Sequence, residues 1–473
     1  MIQLKSIPQR LGYVLCAQWT RDLAWTTFTI LLARHSQIIL GQIMLALSLG
    51  YLVRMAVDAG MNEFLLSSFA RRDSRPLSLL GEITWFKLSL LSLALIVSWG
   101  ITGILGYEFR LRIIALAIAG GLGMDAVTDS FFALCQARGR QDVEMRIRVP
   151  ASLIGIGFGI ACTFAYTGPI WIAMYKPIES VILMLFAVKA LDRNPLGSFS
   201  LERLKQLGQR LKVGFVFTCM AFCAMFYNKL NVFFLKTHGG NALVGSYSVA
   251  WETVDGISTL VSGALLGKVI FPMLTQLWRE NEDAFRKLAG QTARSLWAVA
   301  LPVIFLLFVE SDRLLIFIYG PHYANASLTQ RLLTPCVATA FLHNLAAYAM
   351  ISMQRQRLLL WFYVSGLVVN LLLCIFVIPP LKLEGAALAL TLTKAWVAVL
   401  TIGFFQYAAQ PMNTRQWILL IGSGCAAFGL WQGLGPYLPR ELAELAGLAP
   451  LLALLWRWRP PAPWEKNEKR QID

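Results

Sequence analysis

Between Phe226 and Pro272 two apolar runs flank a short turn, His238-Gly239-Gly240-Asn241, and each run carries ionisable groups at depth. Lys229 lies in the first run, Glu252 and Asp255 in the second. Apolar helices of about 20 residues match the thickness of a bilayer's hydrocarbon core, and a charge inside one has to face a partner or a wet cavity rather than lipid. This stretch therefore requires a membrane protein with something polar bound or passing inside it.

The same pattern recurs along the whole chain. About fourteen apolar spans can be drawn, at roughly 11–33, 38–58, 83–106, 111–135, 149–167, 170–190, 212–235, 243–267, 295–311, 330–352, 358–380, 384–407, 416–437 and 441–456. The first is polar at its start and the last is short enough to lie in the interface. Only 14% of the 473 residues are charged, and mean hydropathy is +0.60. An ordinary soluble chain is about 25% charged. Most of the eight cysteines, among them Cys162, Cys219, Cys223, Cys374 and Cys425, sit in apolar runs and read as small core residues. No cofactor or metal motif occurs. Gly263-Ala264-Leu265-Leu266-Gly267-Lys268 is one residue short of a phosphate loop and lacks the following Ser/Thr, so ATP hydrolysis is not expected.

A formal net charge of +16 raises the question of nucleic acid, and its distribution answers it. With the N-terminus inside, about 27 of the 42 Lys and Arg fall in cytoplasmic segments and about 8 in outside loops, a positive-inside bias. Both termini are expected in the cytoplasm, and membrane lipids rather than nucleic acid account for the basic balance. The outside loops are too short to fold as a domain.

Leu40-Gly41-Gln42-Ile43-Met44-Leu45-Ala46 opens the second span, and Val244-Gly245-Ser246-Tyr247-Ser248-Val249-Ala250 opens the eighth in the same pattern. Gln136-Ala137-Arg138-Gly139-Arg140 closes the fourth span, and Gln354-Arg355-Gln356-Arg357 the tenth. Both pairs lie six spans apart, which predicts a parallel duplication. The expected fold is an all-α polytopic membrane protein of about 14 transmembrane helices, with two pseudo-symmetric six-helix lobes plus two C-terminal helices. The expected boundaries are an N-terminal lobe over 1–190, a cytoplasmic amphipathic linker over 191–211, a C-terminal lobe over 212–407, and two extra spans with a basic cytoplasmic tail over 408–473.

Several stretches, in this order and spacing, resemble the bacterial polysaccharide-transporter, or oligosaccharide flippase, family of the multidrug/oligosaccharidyl-lipid/polysaccharide exporter superfamily. They are Ala33-Arg34 before the Gly41 turn, Asp58-Ala59-Gly60-Met61-Asn62, Gly245-Ser246-Tyr247, Phe271-Pro272, Tyr319-Gly320, Asn370, Pro379 and Glu384-Gly385-Ala386-Ala387. The resemblance implies a flippase of the bacterial inner membrane, not an enzyme. It would move undecaprenyl-diphosphate-linked oligosaccharide to the outer leaflet by alternating access, for O-antigen, capsule or exopolysaccharide, beside a polysaccharide polymerase and glycosyltransferases. A small-molecule antiporter of the related multidrug type is the alternative. The family often carries Asn-Arg-any-Asp in span 7; here Asn228-Lys229-Leu230-Asn231 keeps the cation and replaces the carboxylate by an amide.

An anionic diphosphate calls for Lys and Arg in a confined site. The candidate cavity cations are Lys394, Lys229, Lys176, Arg54 and Arg21. Lys176 and Lys394 fall about 36 and 37 residues after Arg140 and Arg357, at nearly equivalent places in the repeat. Lys394 is about ten residues, roughly 15 Å, into its helix, too deep to snorkel easily. Lys87 and Lys268 lie near cytoplasmic ends, where snorkelling is expected. Arg21 adjoins Asp22, and Arg54 precedes Asp58 by one turn, so each has a carboxylate at hand on its own helix. Asp58, Asp125, Asp129, Glu252 and Asp255 are the candidates for ion coupling. Asp125 with Asp129, and Glu252 with Asp255, share helix faces, a spacing that suits either a shared proton or cations on neighbouring spans.

Overall fold

The computed structural model describes residues 7–62, 65, 76–137, 140–190, 215–261, 266 and 270–458. The linker over 191–211, Lys268 and the tail beyond 458 lie outside these residues. Among the described residues the chain is all-α, without strands.

The helices, in order, are α1 (Ile7–His35), α2 (Gln37–Asp58), α3 (Pro76–Ile104), α4 (Phe109–Ala137), α5 (Gln141–Phe164), α6 (Pro169–Ala173), α7 (Tyr175–Lys189), α8 (Phe215–Val261), α9 (Phe271–Glu280), α10 (Glu282–Val309), α11 (Ser311–Tyr319), α12 (Ser327–Leu333), α13 (Pro335–Ser352), α14 (Gln356–Ala409), α15 (Thr414–Leu434) and α16 (Arg440–Trp458). Ten helices among the described residues are long and apolar enough to cross a membrane. Two of these are double-length. α8 runs 47 residues and is broken at Gly240, whose φ of 75° only glycine adopts without strain. α14 runs 54 residues and is broken at Lys382, just after Pro379 and Pro380. At about 1.5 Å per residue each is long enough for two crossings. The predicted spans 7 with 8 and 11 with 12 are thus present, and α1 and α16 occupy the predicted first and last spans.

The chain divides into two compact units. The first comprises Met1–Val249, Ile318–His322 and Leu367–Ala386. Here α2 packs along α4, α4 against α7, and α1 along α5. The core includes Val53, Val57, Ile83, Val127, Phe131, Phe132 and Leu183. The helix entries are set locally. Ser36 caps α2 by accepting from the Ile39 N–H at 3.3 Å, and Ala59 and Gly60 end it with positive φ.

The two glycines of the repeat meet in this unit. A Cβ on Gly41 would fall 1.8 Å from the Asn241 carbonyl oxygen, and one on Gly245 would fall 2.3 Å from that of Gln37. The relation is reciprocal. Gly41 stands to Gly245 as Gln37 stands to Asn241, each pair 204 positions apart. The sequence repeat therefore marks a pseudo-symmetric helix crossing in which small residues let backbones touch.

The second unit comprises Ala250–Phe317, Tyr323–Gly366 and Ala387–Asp473. α10 packs against α13 and α16, and α15 pairs with α16. Phe305 and Phe308 on α10 meet Phe428 and Trp431 on α15 edge-on, with ring centroids 5.3–6.5 Å apart. Asn281 caps α10, and Asn413 with Gln416 forms a capping box on α15.

Candidate functional site

The first unit holds a network of ionised side chains between its helices. α4 supplies Asp125 and Asp129, one turn apart. Asp129 accepts from Arg54 of α2 at 2.8 Å and from Arg148 of α5 at 2.6 Å. Arg148 also meets Glu144 on its own helix at 3.1 Å and stacks over the Phe132 ring at 4.9 Å. Asp125 pairs with Lys176 of α7 at 2.7 Å and accepts from the Ser180 hydroxyl at 2.7 Å. Lys176 reaches Glu179 at 2.8 Å, and Ser152 of α5 donates to that carboxylate. Lys87 of α3 is fully buried and donates three bonds of 2.8 Å, to Asp58 Oδ1, Asn62 Oδ1 and the Ala126 carbonyl.

These contacts correct two sequence expectations. Lys87 does not snorkel; its ammonium is spent entirely inside the helix packing. Arg54 turns away from Asp58 on its own helix to Asp129 on α4, while Asp58 holds Lys87. Arg21 is half-buried on α1, within electrostatic reach of Arg148, Glu179, Arg54 and Asp125. Arg148 and Glu144, which the sequence places with a cytoplasmic connection, are part of the network. The Glu144/Arg148 spacing of one helical turn is the signal that could have revealed them.

The charges balance. Arg21, Arg54, Lys87, Arg148 and Lys176 face Asp58, Asp125, Asp129, Glu144 and Glu179, five against five. Burying a lone charge is prohibitive, whereas buried charges that are paired and hydrogen-bonded are tolerated. Lys87, Lys176 and Arg148 are 0%, 8% and 12% exposed and have every near carboxylate engaged. Arg54, at 35% exposed, and half-buried Arg21 stand at the network's accessible edge.

Two cations lie apart from this network. In the first unit, the Lys229 ammonium of α8 sits 5.1 Å from the ring centre of Tyr51 on α2. Two residues on, the amide of Asn231 is fully buried, donating to the Tyr247 hydroxyl and to the Ala386 carbonyl, the latter at 3.3 Å. In the second unit, the Lys394 ammonium of α14 sits 4.3 Å over the ring of Trp251 on α8. Among the described residues no carboxylate lies within ion-pair distance of either lysine. A cation held on an aromatic face inside apolar helices gains about 1–2 kcal/mol and keeps its charge unneutralised. Glu252 and Asp255 lie on the same helix as Trp251 and are half-buried. Asp255 and Lys394 both act electrostatically on Cys336 of α13.

The structure thus gathers Arg21, Arg54, Asp58, Asp125, Asp129 and Lys176 in one network. It places Lys229 apart in the same unit, and Lys394, Glu252 and Asp255 in the other. Lys176 and Lys394, equivalent in the repeat, differ in kind: the first is closed in by two carboxylates, the second is open. No group of three or more metal-ligating side chains occurs among the described residues.

Residues 36–328 match a family described as polysaccharide biosynthesis protein. No curated protein matches the chain in sequence. Among solved structures, the lipid II flippase MurJ in an inward closed conformation superposes with a TM-score of 0.75 at 11% identity, covering 94% of this chain and 97% of its own. An inward-facing multidrug resistance transporter of the MATE family, MOP superfamily, gives 0.65 at 13% identity, covering 82% and 94%. A MOP superfamily transporter from Pyrococcus furiosus gives 0.53 at 13% identity, covering 86% and 94%. The fold is that of these polytopic carriers.

Proposed function

The chain belongs to the polysaccharide biosynthesis protein family, and we propose from that premise that it is a flippase for lipid-linked oligosaccharide carried on an undecaprenyl diphosphate. The observation that carries this reading is Lys394, a cation held on the Trp251 ring inside apolar helices, with no carboxylate at ion-pair distance among the described residues. Such a charge is stabilised in full only when an anion arrives, and the diphosphate is the anionic part of a lipid-linked sugar. Lys229 on Tyr51 is a cation of the same kind in the first unit, where Arg21 and Arg54 stand at the network's edge. The polar glycan needs a wet path, while the polyprenyl tail stays in lipid.

The paired acids take a different role in this reading. Asp58, Asp125 and Asp129 hold cations in place, and the ion-coupling role falls to Glu252 and Asp255 on α8. The protein moves its substrate without making or breaking a bond in it. It works in the inner membrane with both termini in the cytoplasm, and a polymerase and glycosyltransferases act on either side of it in sequence.

The test is transport in proteoliposomes loaded with a fluorescent undecaprenyl-diphosphate-linked sugar. Lys394→Ala should abolish transfer at wild-type protein level, and Lys394→Arg should keep part of it, since a point-charge contact needs charge more than shape. Normal transfer by Lys394→Ala would overturn the anion site. Transfer of organic cations in place of the lipid would replace the reading with the antiporter one.

A further inference from the structure

Arg112, in the first turn of α4, is a charge that neither the ion network nor the proposed transport uses. Its guanidinium crosses to α3. There Cζ lies 3.7 Å from the ring centre of Trp99, and Nη2 donates to the Trp99 carbonyl at 3.0 Å. The Phe109 ring meets Trp99 edge-on, with centroids 6.0 Å apart. Both helices belong to the first unit and pack against each other.

Glu108 precedes Arg112 by one helical turn, and the Arg112 backbone N–H donates to the Glu108 carbonyl at 3.0 Å. That spacing suits an ion pair on one helix face. None forms: among the described residues no carboxylate lies at ion-pair distance from Arg112. Glu108 and Arg110, both exposed, cancel in charge beside it, which leaves Arg112 in excess.

The donors are also unspent. A guanidinium carries five N–H bonds. Nη2 gives one to Trp99, Nε is buried without an acceptor, and Nη1 makes no hydrogen bond among the described residues. The side chain is half-buried, so its free edge can be reached. Glycine keeps the place clear. A Cβ on Gly103 would lie 3.2 Å from Nη2 and 3.4 Å from Cζ, and one on Gly106 would meet nothing within 4 Å.

The surroundings are a lipid-facing rim. Only 22% of the most apolar stretch of α3 is buried. Ile96, Ile101, Ile104 and Leu105 on α3 and its end, and Phe109 at the head of α4, are exposed. In the predicted topology this turn is on the outer side. Arg112 is the fourth residue of α4, about 5 Å from its start, where Trp rings and lipid headgroups share the membrane boundary. A neutral donor would bond the Trp99 carbonyl equally well. The charge itself is satisfied only by an anion, and the anion available at this depth is a lipid phosphate.

We infer that Arg112, Trp99 and Gly103 form a binding site for the headgroup of an anionic phospholipid such as phosphatidylglycerol. The phosphate accepts from the free N–H groups of Arg112, and the acyl chains lie along the exposed side chains of α3. A zwitterionic headgroup brings its own cation and leaves the excess charge in place, so the site favours the anionic lipid. The site is separate from Lys394 and does not rest on the transport reading.

The experiment is native mass spectrometry of the full chain released from micelles doped with equal amounts of phosphatidylglycerol and phosphatidylcholine, with scanning fluorimetry on the same samples. Wild type should retain phosphatidylglycerol in preference. Arg112→Met, which keeps an apolar side chain over Trp99, should carry one bound phosphatidylglycerol fewer, with about tenfold weaker binding at that site. Phosphatidylglycerol should raise the Tm of wild type and not of Arg112→Met. Gly103→Leu leaves the charge and fills the recess, and should lose the same adduct; it decides the matter alone should Arg112→Met not fold. Equal adduct counts in wild type and the variants would overturn the site, as would equal retention of phosphatidylcholine. A lower Tm in Arg112→Met with unchanged adducts would make Arg112 a staple between α3 and α4 and overturn the lipid assignment.

Discussion

Lys87 has three N–H donors and meets three oxygens at 2.8 Å, with none of its side chain exposed. Asn231 shows the same economy from the other side. Its amide donates to the Tyr247 hydroxyl and the Ala386 carbonyl in a fully buried position. A carboxylate cannot donate to a carbonyl, so the acid that the resemblance leads one to look for at this position would be repelled by Ala386 and left charged in an apolar core. Asn231→Asp should therefore lower the thermal stability of the purified protein by roughly 2–4 kcal/mol, read as a fall in Tm by scanning fluorimetry in detergent. An unchanged Tm would mean that the amide is no strut. At this scale the sequence is only partly legible. It marks which spans carry charge, but an ion pair depends on which helices adjoin. Arg54 reads as a partner of Asp58 because both lie on one helix face, and it turns instead to Asp129 because α4 packs along α2.

At the head of α16, Arg440 and Glu441 tie the helix to α10 and α11. Arg440 makes two bonds of 2.8 Å to the Asp312 carboxylate, one of 2.8 Å to Glu444 and one of 2.8 Å to the Val309 carbonyl. The bonds from Arg440 hold the Asp312 carboxyl down to about 2, below its ordinary 3.8. A depressed carboxyl stabilises the folded state above its unfolded pKa and ceases to do so as pH falls through the folded one. The Asp312 contribution is therefore whole above about pH 4 and gone near pH 2. Glu310 has the opposite sign. Burial and the neighbouring Glu444 push its pKa up, so its contribution is present at low pH and lost as pH rises through the raised value. Arg440→Ala should speed amide exchange along α16 about tenfold, roughly 1.4 kcal/mol of local stability, and move the acid loss up towards pH 4. Exchange at the wild-type rate would mean that the aromatic contacts of Phe305 and Phe308 hold the pair alone. The helices themselves were legible as apolar runs. This clasp was not, because Asp312 and Arg440 are 128 residues apart.

Across the whole molecule, apolar run length and the Lys/Arg asymmetry supply the fold class because both follow from the bilayer alone. A crossing needs about 20 apolar residues whatever it packs against, and cytoplasmic loops collect positive charge whatever they connect. The double-length α8 and α14 sharpen this. The break at Gly240 falls in the turn read from His238-Gly239-Gly240-Asn241, and the break at Lys382 falls just after Pro379-Pro380. The predicted topology requires the chain to turn back at each break, so that the segments on its two sides cross in opposite directions. Gly239 should then face the outside and Gln354, at the end of α13, the cytoplasm. Alkaline phosphatase fused after Gly239 should be active and after Gln354 inactive, with green fluorescent protein giving the reverse. If α8 crossed once, without turning at Gly240, every segment after it would change sides. The Gln354 fusion would then become active, and the charge count would place the basic segments that follow it in the periplasm, against the bias that orients the chain. The pair of fusions therefore tests the break, the direction of the second half and the origin of the basic balance in one measurement.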